Sequence, residues 1–146
     1  MLRTATVLIV LSVSTLSAAP VPKTKASDGD AIQGKWKVVE VQHHGAAVPG
    51  YETAVATFDK ETMTVHGGPT MKSEEVLTSK LDPEMKRIDL TPSNGKTAEG
   101  VYALDGDTLL IAVGMGEAGA PGERPKEAKS GPGIAYLKLV RIKEEK

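Results

Sequence analysis

Apolar and polar residues do not repeat at a helical period anywhere beyond residue 33. Short runs rich in Val, Thr, Ile and Leu are instead separated by turn residues, the pattern of an all-β chain. Eight strands are predicted, over 35–42, 53–58, 61–66, 71–81, 85–91, 97–104, 108–113 and 134–142. The turns between them are short. Asp59-Lys60, Asp82-Pro83 and Asp105-Gly106-Asp107 break three pairs of runs, and Asn94-Gly95 breaks a fourth. Asn-Gly suits a type I′ hairpin because both central positions need positive φ. Strands joined in sequence by tight turns predict an antiparallel up-and-down sheet. Closing about eight of them into a barrel removes the exposed edges; a flattened β-sandwich is the alternative.

The residues ahead of the strands read differently. Met1-Leu-Arg3 is a short basic start, 5–16 is apolar apart from Thr and Ser, and Ser17-Ala18-Ala19 supplies small residues. This is the order of a secretory signal peptide. Its apolar core is shorter than the ~20 residues a membrane span requires, so no span is expected after cleavage. The expected organisation is a signal peptide at 1–19, a Pro-, Lys- and Ser-rich tether at 20–30, a barrel domain at 31–143 and a charged tail at 144–146. The expected location is periplasmic or secreted. One helical turn is predicted over 30–33, with Asp30 as its cap and Gly34 as its stop.

Composition narrows the functions. The chain has no cysteine, so an exported domain must be held by its core alone. The charge is nearly balanced, with 18 basic and 19 acidic residues, and losing Arg3 with the leader leaves 17 against 19. Such a balance offers no electrostatic footprint for nucleic acid or an anionic membrane.

Five stretches carry a family resemblance: Gln33-Gly-Lys-Trp-Lys-Val-Val39, Ile88-Asp-Leu-Thr91, Gly100-Val-Tyr-Ala-Leu-Asp-Gly-Asp-Thr-Leu109, Arg124-Pro125 and Leu137-Lys-Leu-Val-Arg141. In this order and spacing, over about residues 32 to 142, the chain resembles the planctomycete-type small exported domains of unknown function, which are lipocalin-like. The resemblance implies a fold and export, and no activity. It also implies that Gly34 and Trp36, the only tryptophan, open the first strand and plug the closed end of the barrel. Arg141 on the last strand would pack across the indole. Where members of that family often carry an aromatic a few residues after the Arg-Pro pair, this chain has Ala128.

Motifs for catalysis are weak. Gly114-Met-Gly116-Glu-Ala-Gly119 matches G-x-G-x-x-G, but Pro121, Gly122 and Pro125 forbid the helix that a dinucleotide site requires. His43, His44 and His66 lie at strand ends and without cysteine make no zinc pattern. No G-x-S-x-G or H-E-x-x-H motif occurs. Glu40, Glu75, Arg87, Asp89 and Glu99 are candidates for lumen-facing charge. The leading expectation is an exported, non-enzymatic binding module that needs no cofactor or metal. It would hold a small apolar or amphipathic ligand inside the barrel. Phe58, Met63, Met71, Val101 and Tyr102 are candidate contacts because they are bulky and lie on strands, although neighbours Val101 and Tyr102 cannot both face inward. The alternative is a protein-interaction or inhibitor module acting through the 114–133 loop and the 41–51 loop. A hydrolase or isomerase using lumen carboxylates is the third reading.

Overall fold

A computed structural model describes residues 27–68, 74–93, 95–117 and 120–143. The leader, most of the tether, Met71, Asn94 and the charged tail lie outside the described residues. The elements are α1 (Asp28–Ala31), β1 (Gly34–His43), β2 (Ala46–Ala47), β3 (Val55–Asp59), β4 (Thr62–His66), β5 (Glu75–Asp82), β6 (Arg87–Pro92), β7 (Ala98–Asp105), β8 (Thr108–Gly114) and β9 (Ile134–Arg141). β1 pairs antiparallel with β3, each strand from β3 pairs antiparallel with the next, and β9 returns to β1, so eight strands close an up-and-down barrel with β2 as an extra strand against β1. The sandwich alternative is thereby set aside.

Local chemistry explains where the elements depart from the sequence expectation. The helical turn starts two residues early because Ser27 caps it: Ser27 Oγ accepts from the Asp30 amide at 3.3 Å and donates to Asp30 Oδ2 at 2.9 Å. β2 arises because β3 reaches only as far as Lys37 along β1. Beyond that point β1 folds back on itself through His44 and Gly45, both at positive φ, pairing His43 with Ala46. β6 starts at Arg87 rather than 85 because the chain is still turning through Lys86, at φ 53°.

A bulge at Val39 decides which residues of β1 face inward. Val38 opposes Leu139 on β9, whereas Glu40 opposes Lys138, so Val39 has no partner there. The extra residue shifts the alternation by one. Trp36 and Val38 face in before it and Val41 faces in after it, while Glu40 is turned to the outer wall. Without the bulge, Glu40 would enter the core.

α1 lies across one end of the barrel, beside Trp36. Trp36 is completely buried and its Nε1–H donates to the Ile32 carbonyl at 2.9 Å. Trp36 is the register partner of Arg141, whose guanidinium sits 4.3 Å from the ring centroid. The same guanidinium donates to the Gln33 carbonyl at 3.0 Å and to the Ala31 carbonyl, and it faces Asp107 at 3.4 Å. It therefore caps the C-terminal end of α1, where carbonyls are otherwise unpaired. Gly34 makes the turn from α1 into β1 at φ 113°, a conformation that side chains resist. Removing the Arg141 side chain forfeits a cation–π contact and two charge-assisted hydrogen bonds. Arg141→Ala is expected to lower the unfolding free energy by ~2–4 kcal/mol in urea titrations followed by Trp36 fluorescence. Arg141→Lys should recover only part of that loss, and a loss below ~1 kcal/mol for the alanine variant would contradict this role.

Candidate functional site

The opposite end of the barrel is built from smaller side chains. There the inner face presents cross-strand pairs Leu77 with Pro92, Leu90 with Ala98, and Val113 with Ala135. Below them Ile88, Tyr102, Ile111 and Leu139 fill the interior and are almost completely buried. Filling therefore stops one layer short of the mouth, where Ala98 and Ala135 replace bulkier groups. A cleft of about 570 Å³ results, lined by all six residues of those pairs together with Met115 and Pro121. Among the described residues, Lys96 and Glu117 are the charged ones on it, and both are exposed. Apolar walls with charge confined to the rim suit a small apolar or amphipathic molecule.

One wall of the cleft comes from the segment after β8. The chain does not make a free excursion there. Met115 and Pro121 form a β-bridge, Gly116 donates to the Ala120 carbonyl at 2.6 Å, and Gly122 donates to the Gly114 carbonyl at 3.1 Å. A Cβ at Gly114 would lie 2.1 Å from the Glu123 carbonyl oxygen, so glycine is required by the close approach of the returning chain. Pro121 leads back to the barrel wall, so the G-x-G portion of 114–119 opens no helix. The Gly133 amide donates to His44 Nδ1 at 3.1 Å, tying the end of the segment to the turn between β1 and β2.

The residues singled out from sequence lie elsewhere. Phe58 and Met63 are opposite one another on β3 and β4 and are 2% exposed, as core residues. Tyr102 also faces inward, but its hydroxyl donates to Asp28 of α1 at 2.8 Å. Lys86 pairs with the same carboxylate and lies over the Tyr102 ring. Val101 faces outward, with its partner Ala112, and both are nonetheless buried. Thus Phe58, Met63, Val101 and Tyr102 are not on the cleft, and Met71 is outside the described residues. Bulk picks out core positions, because large side chains fill a small barrel and small ones leave room.

The charged candidates separate as well. Glu40, Arg87, Asp89 and Glu99 take the outer face by register, and only Glu75, opposite the buried Val65, takes the inner one. His66 faces Glu74 at 3.9 Å on the surface. Among the described residues no three His, Asp or Glu side chains come together as metal ligands. A second cavity, about 270 Å³, lies at the base beside Gln33, Lys60 and Ser79. The buried Ser79 hydroxyl has no protein partner there, and a space of that size and polarity suits a few waters.

These features define a small antiparallel barrel with one plugged end and one open, apolar-lined end. Comparison of the chain with protein-family models, curated proteins and solved structures found no match.

Burial, followed by the bond to Asp28 and the negative charges of Asp28 and Asp82, holds the Tyr102 phenol well above its ordinary value. Above pH ~10 the unfolded chain releases a proton that the native protein keeps. Stability is therefore fully present below that pH and falls as pH rises toward the native value. Urea unfolding between pH 8 and 11 should show this decline, and Tyr102→Phe should make it shallower. Some slope should persist from Tyr136, raised by burial and by Glu40. An unchanged slope in the Tyr102→Phe variant would contradict the buried phenol–carboxylate contact.

Proposed function

We propose that the protein is an exported binding module that holds a small apolar or amphipathic molecule at the open mouth of its barrel, without covalent chemistry. The apolar cleft between Leu90, Ala98, Val113 and Ala135 carries this reading. Its volume lies within the range of small-molecule sites, and its charge sits where a polar end of the ligand would meet water. The export-type leader at 1–19 supports a periplasmic or secreted location. The lipocalin-like resemblance agrees with a pocket opposite the tryptophan plug.

A surface-acting interaction module is the second reading. It is favoured by the 114–133 segment being fastened to the wall, which gives Glu123, Lys126 and Lys129 a fixed frame on an exposed surface.

Titration with an apolar fluorescent probe tests the first reading. The wild-type protein should bind it saturably at one site. Ala98→Phe, which places a ring in the cleft, should weaken binding by roughly tenfold or more while leaving the thermal midpoint within a few degrees. No saturable binding by the wild type, or equal binding by Ala98→Phe, would overturn the reading.

A further inference from the structure

Arg124 lies outside the barrel, yet it touches the strands whose inner faces make the cleft. Its Nη1 donates to the Gly100 carbonyl of β7 at 2.7 Å. The same nitrogen is 2.8 Å from Asp89 Oδ1 on β6, a close ion pair whose hydrogen-bond alignment is given up to the carbonyl. Nη2 faces Glu99 Oε1 at 3.4 Å. Asp89 and Glu99 are register partners on the outer face, and the next pair along the same strands, Leu90 and Ala98, forms the cleft floor.

Two carboxylates directly opposite each other on a sheet repel. A guanidinium set between them removes that repulsion and ties both strands to the segment that carries it. That segment begins with Met115 and Pro121, which form the facing wall of the same cleft. Val101 and Ala112, outward-facing residues of β7 and β8 next to Gly100 and Val113, are 9% and 0% exposed, and the segment's own Pro125 is buried. Arg124 is itself only 20% exposed. A solvated loop would leave these groups in water.

We infer that Arg124 is a positioning residue for ligand binding: by clasping Asp89, Glu99 and Gly100 through the outer wall, it holds the Met115–Pro121 wall at its distance from the Leu90–Ala98 floor. This inference rests on the cleft being the binding site. It makes the outer charge cluster a determinant of cleft width, although no ligand touches it. A fork-shaped guanidinium is needed because a carbonyl and two carboxylates from two strands are met at once, which an ammonium on a flexible stem does poorly.

The test pairs amide hydrogen exchange with titration of the same apolar fluorescent probe. In Arg124→Gln, the Gly116 and Gly122 amides, which hold the wall segment together, should exchange roughly tenfold faster or more, while those of Ile111 and Leu139 stay protected. Probe affinity should fall several-fold in parallel, and Arg124→Lys should recover part of both. Adding Glu99→Gln to Arg124→Gln relieves the carboxylate repulsion without restoring the clasp, so it should not restore protection or affinity. Unchanged exchange at Gly116 and Gly122 in Arg124→Gln would overturn the clasp. Faster exchange with unchanged probe affinity would overturn its role in binding. If the wild type binds no probe, the cleft reading fails and the positioning role fails with it, whereas the exchange result still decides whether the clasp exists.

Discussion

Everything in this barrel is arranged around the stack of the Arg141 guanidinium on the Trp36 indole. The two residues are register partners on the first and last strands, so their contact joins the seam at which the sheet closes. The same guanidinium binds carbonyls at the end of α1, and the indole N–H binds another. One aromatic ring and one cation thus fasten strand β1, strand β9 and the helix across a single end. In a chain with 3% aromatics and no disulfide, few other groups have the surface to do this.

A plugged base sets the distribution of the remaining side chains. Ile32, Phe58, Met63, Ile88, Leu109 and Leu139 pack with it into one core, and all are at most 2% exposed. An eight-stranded barrel has room for one such column of side chains or for a ligand, and here the column runs most of the way. Apolar space remains at the mouth, where Ala98 and Ala135 stop the packing and the segment after β8 builds an additional wall. The cleft is accordingly a shallow apolar seat rather than a deep calyx. On the inference drawn above, the Arg124 cluster outside the wall helps to set its shape.

Much of the fold is legible in the sequence because its signals are local. The turn residues mark the strand ends, and the Gly34-x-Trp36 start with Arg141 at the far end marks the seam. The cleft is not legible in the same way. The Val39 bulge leaves no mark in a run of Val and Lys, yet it reverses the facing of every later residue in β1. Pairing Leu90 with Ala98 and Val113 with Ala135 depends on register between strands, which alternation within a strand does not set. The 114–133 segment lacks any periodic pattern because it is held by glycine contacts and one arginine rather than by a ladder. Small inward residues near the strand ends opposite Trp36 are the signal that points to the cleft. Selection by bulk found the core instead.

The central proposal is that this barrel, closed at the Trp36 end, binds its ligand at the other. Amide chemical-shift mapping during titration with an apolar ligand tests it most directly. The shifts should move at Leu77, Leu90, Ala98, Val113 and Ala135 and stay fixed at Ile32, Trp36 and Arg141. Perturbations centred on the Trp36 end, or confined to the outer wall with the mouth unchanged, would contradict the account.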